Sequence, residues 1–246
     1  MTRTLRLLAL TPLALALAAC GGGDGATTGT ELTGEPIAEV PAPEGQQWSQ
    51  VVTRTEEGGY LMGNPDAPIQ LLEFASLTCG ACAQFSQQGS TELKQEFVDS
   101  GRVSFEYRNY LRGPQDLIAA QIMECGAPER VIPLADQHYA RFDEFGQALS
   151  DPRLQQISSL PEDQQKAAFA EITGLIEFFA QRGISRDEAL SCLADDAKAT
   201  EMAEQMESWN SNYEITGTPT IYLNGNPTGI GSWDAVKERL EAMGAR

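Results

Sequence analysis

The chain has 246 residues, of which 35 are acidic and 17 basic, giving a formal charge of -18 and a sequence pI near 4.3. That balance excludes nucleic acid and an anionic membrane surface as ligands, because both repel a polyanion. The acidic residues are spread along the chain and gather in its middle, where they read as solvated helix faces that keep the protein soluble.

Residues 1–6 include Arg3 and Arg6, residues 7–17 are mostly Leu and Ala, and Leu17-Ala18-Ala19-Cys20 closes the run. A basic start, a short apolar core and small closing residues make a signal peptide over residues 1–19, too short for a stable membrane span. The closing tetrapeptide, with Gly21-Gly22-Gly23 behind it, resembles the bacterial lipobox, which implies that Cys20 is acylated and becomes the mature N-terminus. The plainer alternative is an ordinary cleaved signal with Cys20 discarded. By resemblance to lipoprotein sorting rules, Gly21 in place of Asp favours the outer membrane. Residues 20–46 are Gly, Thr, Ala, Glu and Pro with few large apolar side chains; they cannot bury enough surface to order themselves and read as a disordered tether. The folded domain is expected over residues 47–246. Beyond the leader no apolar stretch is long enough to cross a bilayer, and no internal repeat shows.

Residues 51–54 alternate like a strand, 56–59 supply turn residues and 60–62 return, which predicts a small hairpin at a sheet edge. After the punctuation of residues 63–68 comes a strand over 69–75, a helix from Cys79 to about Val98 with a weak point at Gly89, and a strand over 103–110. Together these make a β-α-β unit with parallel strands. At the head of its helix stands Cys79-Gly80-Ala81-Cys82. The unpaired backbone N–H groups and positive dipole end of a helix favour thiolate over thiol, so Cys79 is the nucleophile. Cys82, one turn further in, is placed to resolve a mixed disulfide on Cys79. Haem attachment is excluded because position 83 is Ala, not His. A zinc site would need two more Cys or His ligands at close spacing, and the chain has one His, His138. An inert bridge is the blander reading, but closing so short a loop removes little chain entropy.

From residue 113 to 212 the spacing is helical, in segments 116–125, 128–145, 164–182, 187–193 and 195–213, with Ser185 as the cap of a capping box. This is an inserted helical subdomain. Strand character resumes at 218–223, Asn224-Gly225 marks a hairpin, and a last helix covers 232–243. Export changes how the thiols are read, since disulfides persist in oxidising compartments. If Cys20 takes lipid, four of the five cysteines remain. With Cys79 and Cys82 paired, the economical use of Cys125 and Cys192 is a structural disulfide worth about 4 kcal/mol. The alternative for them is two separate buried thiols.

The order of elements resembles the thioredoxin fold, and the helical insertion between its halves resembles the DsbA family of exported thiol oxidoreductases: an α/β, thioredoxin-like fold with an inserted α-helical subdomain. Three motifs carry the resemblance: the Cys79 to Cys82 pair after a strand, Glu73 six residues before Cys79, and Gly217-Thr218-Pro219-Thr220. The resemblance implies that Glu73 is a buried acid handling protons at Cys82, with a raised pKa. It also implies that Pro219 is cis and presents the Thr218 backbone to an extended substrate peptide. Two departures stand out. The dipeptide Gly80-Ala81 lacks the His that makes the family's disulfide strongly oxidising, so a less extreme potential is expected. The strand over 103–110 has no lysine to pair with Glu73, with Arg108 as the substitute to consider.

The expected function is that of a periplasmic thiol-disulfide oxidoreductase, held to a membrane by its lipid. Its Cys79/Cys82 pair introduces or exchanges disulfides in cysteine-containing exported proteins and is reoxidised by a DsbB-type membrane partner. This chemistry needs no cofactor and no metal. The alternatives are a thioredoxin-like copper(I) carrier, against which the narrow cysteine spacing and the position of His138 argue, and a non-catalytic binder of unfolded chains.

Overall fold

The computed structural model describes residues 34–246. The expected signal peptide, Cys20 and the first part of the expected tether lie outside the described residues. The rest of that tether is not loose. Gly34 N donates to Ala242 O at 2.7 Å, Ile37 N to Gly244 O at 2.9 Å and Val40 N to Ser100 O at 2.9 Å, while the Trp48 indole donates to Val40 O at 2.8 Å. Backbone pairing with the C-terminal turn orders a segment whose side chains have little to bury.

Among the described residues a six-stranded sheet forms from β1 (Val52–Arg54), β2 (Tyr60–Met62), β3 (Ile69–Ala75), β4 (Val103–Asn109), β5 (Thr220–Leu223) and β6 (Asn226–Pro227), in the order β1-β2-β4-β3-β5-β6. β3 is central. It runs parallel to β4, with Glu73 opposite Tyr107 and Phe74 opposite Arg108, and antiparallel to β5, with Glu73 opposite Ile221. The parallel pair follows from the helix that crosses between its strands, and the antiparallel end from the tight turn at Asn224, whose φ of 48° and Gly225 at 77° suit a two-residue hairpin.

The connection from β3 to β4 is α1 (Gly80–Glu92), prolonged by a single π-helical stretch at Leu93–Val98. The irregularity falls there and not at Gly89, which stays helical because α9 (Trp233–Ala242) packs on it: a Cβ at Gly89 would lie 2.3 Å from the Trp233 ring. Phe85 and Phe97 meet the same ring edge-on.

The insertion comprises α2 (Pro114–Met123), α3 (Val131–Tyr139), α4 (Phe142–Ala148), α5 (Glu162–Ile172), α6 (Leu175–Ala180), α7 (Arg186–Leu193) and α8 (Asp196–Asn212). Two helices expected to be continuous are broken. Residues 128–145 divide where Arg141 leaves helical geometry, and residues 164–182 divide at Gly174, whose φ of 77° ends α5. Ser185 Oγ caps α7 by accepting from Glu188 N. The end of α2 is joined to α7 by a disulfide between Cys125 and Cys192, with Cα atoms 6.0 Å apart and a sequence separation of 67. α8 returns to the sheet, where Trp209 packs with Phe74 and Tyr222 in a small aromatic cluster separate from the main core.

Candidate active site

β3 ends at Ala75, and two of the three residues that lead to Cys79, Ser76 and Thr78, are held by one carboxylate. Asp116, on the first turn of α2 and 1% exposed, accepts from Ser76 Oγ at 2.8 Å, Thr78 N at 3.0 Å, Thr78 Oγ1 at 2.9 Å and Arg112 N at 3.0 Å. With that loop fixed, Cys79 becomes the residue that caps α1, in extended backbone geometry, and Cys82 falls one turn inside. Both are free thiols; Cys82 is fully buried, whereas Gly80 and Ala81 between them are exposed.

Across from this turn the Thr218–Pro219 peptide bond is cis, and Cys79 Sγ lies 3.1 Å from Thr218 O. The structure thus brings Cys79, Cys82, Thr218 and Pro219 together. A groove of about 370 Å³ runs beside the proline loop, lined by Thr216, Gly217, Thr218, Pro219, Ile230 and Gly231 among others.

The two sulfurs are unlike. The Cys79 thiol is lowered to about 5, above all by the hydrogen bond from the Cys82 thiol; burial opposes this, and Thr218 and the backbone N–H groups of Cys82 and Ala81 add to it. Cys82 is pushed up, first by burial, then by the proton it shares toward Cys79 and, once Glu73 is ionised, by the charge of that carboxylate. One sulfur is a thiolate at neutral pH and the other keeps its proton. No polar side chain from the Gly80-Ala81 dipeptide is needed, because backbone donors and the inner thiol serve the outer sulfur.

Glu73 is 4% exposed and raised to about 8, by burial first, then by the charges of Asp136 and Cys79. It is therefore mostly protonated at pH 7. Arg108 is not its partner. Register places Arg108 beside Phe74 on the opposite face, where its Nε donates to Glu106 at 2.7 Å and its guanidinium lies 5.3 Å over the Phe74 ring and 4.9 Å over Tyr213. His138 is a packing residue of α3: burial lowers it to about 3, and its ring stacks on Phe145 at 4.3 Å. Among the described residues no cluster of three or more His, Cys, Asp or Glu side chains converges to hold a metal ion. Asp116, and the pair Lys94 and Asp136 that approaches Glu73, escaped sequence reasoning. Asp116 had a signal, an acid in the first turn behind Gly113-Pro114; the pair had none.

A family model described as Thioredoxin matches residues 55–242. A Rickettsia conorii protein provisionally named a protein-disulfide oxidoreductase is 22% identical over 192 residues, covering 78% of this chain and 62% of that protein, so the chain spans less than two thirds of its length. Disulfide bond formation protein D of Bacillus subtilis is 24% identical over 187 residues, 75% of this chain and 77% of that one. Among solved structures, a protein-disulfide isomerase from Novosphingobium aromaticivorans superposes with a TM-score of 0.69 at 28% identity, covering 74% of this chain and 95% of that one. Wolbachia pipientis alpha-DsbA1 gives 0.61 at 18% identity over 75% and 90%, a likeness of fold alone.

Proposed function

The chain belongs to the thioredoxin family, and on that premise we propose that it is an exported, lipid-anchored thiol-disulfide oxidoreductase of the DsbA type, oxidising cysteine pairs in other exported proteins. The observation that carries the reading is the low pKa of Cys79 at the head of α1, with its sulfur against Thr218 O and a protonated Cys82 behind it. A substrate thiolate attacks Cys79 Sγ, the Cys79–Cys82 bond breaks, and the electron pair goes to the Cys82 sulfur, which takes a proton. A second substrate thiolate then attacks the substrate sulfur of the mixed disulfide and Cys79 leaves as thiolate, so the substrate gains its disulfide and the protein holds two electrons. A stable outer thiolate favours the reduced protein, which is what makes a dithiol pair an oxidant. A DsbB-type membrane oxidant returns the pair to the disulfide.

Cys20 as the acylated N-terminus would keep the domain at a membrane facing the periplasm. No helix among the described residues is long and apolar enough to cross a bilayer, so attachment on this reading rests on the lipid. The test is the reduction potential against glutathione together with refolding of a reduced substrate. A potential well above thioredoxin's value of about -270 mV, with catalysis lost in Cys79→Ser, is expected; a potential below it overturns the oxidising direction, and activity retained in Cys79→Ser overturns the enzyme. For the anchor, metabolic labelling with a fatty acid should be abolished by Cys20→Ala, and an unlabelled parent chain would refute it.

A further inference from the structure

The partners of the Cys79 sulfur come from two separate pieces of chain: the Ala81 and Cys82 groups from the head of α1, and Thr218 from the proline loop. Whether the sulfur reaches both depends on how the backbone enters α1. Residues 76–79 make a tight turn closed by Cys79 N, which donates to Ser76 O at 3.1 Å. The N–H inside that turn, Thr78 N, donates to Asp116 Oδ1 at 3.0 Å and to Ser76 Oγ at 3.2 Å. On its own side Asp116 is fixed by Arg112 N, so one carboxylate ties the loop before α1 to the loop before α2.

A carboxylate has about four acceptor positions, and Ser76 Oγ, Thr78 N, Thr78 Oγ1 and Arg112 N fill them. None of these donors is charged; the Arg112 guanidinium turns instead to Thr78 O, at 3.5 Å. A charge buried without a counter-ion is a costly way to fasten a loop, and it stands where it holds the residue before the nucleophile. We propose that Asp116 is the positioning residue of the redox turn: from the helical insertion it fixes the entry of Cys79 into α1, and thereby sets how strongly the Cys79/Cys82 pair oxidises.

The inference rests on the exchange reaction proposed above and names what in the insertion tunes it. The hydrogen bonds of Asp116 reach neither sulfur, and it passes neither proton nor electron; it acts through Thr78. Charge and position predict opposite signs. As a negative charge near the turn, Asp116 disfavours a second one on Cys79, so its removal would stabilise the thiolate and make the pair more oxidising. As an anchor it keeps the sulfur among its partners, so its removal destabilises the thiolate and makes the pair less oxidising. The other titratable groups at the turn, Glu73 on β3, Cys82 on α1 and Arg112 before α2, are kept in every variant.

The experiment equilibrates the full-length parent, Asp116→Asn, Asp116→Ala and Thr78→Val with glutathione buffers, reads the oxidised fraction of the Cys79/Cys82 pair, and titrates each Cys79 thiolate by ultraviolet absorbance. Asp116→Ala should raise the Cys79 titration by about one unit and move the equilibrium about tenfold toward the disulfide, a potential lower by about 30 mV. Asp116→Asn keeps an acceptor for Thr78 N and should restore part of both changes. Thr78→Val keeps that N–H, so it should shift both readings the same way by less, and its effect should not add to that of Asp116→Ala. Replacing Cys125 and Cys192 by Ala, beyond the other end of α2, lowers stability without touching the turn and should leave both readings with the parent.

Readings unchanged in Asp116→Ala, a shift toward a more acidic Cys79 and a higher potential, or the same shift in the Cys125 and Cys192 variant overturn the proposal. A parent whose Cys79 and Cys82 do not equilibrate with glutathione would instead overturn the exchange function on which it rests.

Discussion

Removing the inner thiol tests the origin of the outer one's acidity. The largest influence on Cys79 is the hydrogen bond from Cys82, which holds it near 5 against burial. A hydrogen bond to a charged group contributes about 1.5–3 kcal/mol, and one pKa unit corresponds to about 1.4 kcal/mol. Cys82→Ala should therefore raise Cys79 by about 1–2 units. Cys82→Ser keeps a donor and should raise it less. The assay is the thiolate ultraviolet absorbance of each reduced variant against pH, checked by the rate of alkylation. The sign extends to stability: the folded pKa lies below the unfolded one, so the reduced protein has this stabilisation in full above about 9 and loses it as pH falls through about 5. A Cys79 that titrates at the same pH in the parent and in both variants refutes the assignment.

Three further outcomes follow from contacts elsewhere. Asp116→Ala leaves the Thr78 N–H and two hydroxyls without their acceptor and should cost about 2–4 kcal/mol in denaturant unfolding; a loss under about 1 kcal/mol would mean the loop finds other partners. Replacing Cys125 and Cys192 together by Ala should lower stability by about 4 kcal/mol, since the bridge spans 67 residues, while the Cys79 titration stays in place; a parent and variant that melt together would contradict it. Gly89→Ala pushes a methyl into Trp233 and should cost about 1–3 kcal/mol with a visible change in tryptophan fluorescence, whereas an unperturbed spectrum and stability would show that α9 shifts freely.

The sheet and the order of its elements were legible in the sequence because their signals are local. Strand, two cysteines and helix lie within one stretch, Asn224-Gly225 names its own turn, and the insertion announces itself by helical spacing. The direction of Arg108 was not legible, because β4 is buried along almost its whole length and alternation carries no signal in a strand covered on both sides. The docking of residues 34–46 was hidden for another reason: backbone hydrogen bonds hold it, and composition does not register them. The long helices broke at Gly174 and Arg141, where tertiary packing outweighed the spacing of apolar residues.

The residues that escaped share a property that bears on how the site works. Asp116 reaches Thr78 across 38 positions and Asp136 reaches Lys94 across 42, and both belong to helices of the insertion. Phe142, on another of those helices, would lie 3.7 Å from a Cβ placed on Gly80. The insertion is therefore joined to the redox turn at three places: through the loop before Cys79, through the charge of Asp136 on Glu73, and over the exposed dipeptide between the cysteines. If its only role were to cover the sheet, substitutions at these contacts would change stability alone. Because Asp116 positions the turn that points Cys79 at Thr218 O, and the charge of Asp136 raises Glu73, changes in the insertion must also alter the chemistry of the sulfurs. The coupling reaches the two sulfurs differently: Asp116 sets the geometry of the turn that carries Cys79, and Asp136 bears on the acid behind Cys82.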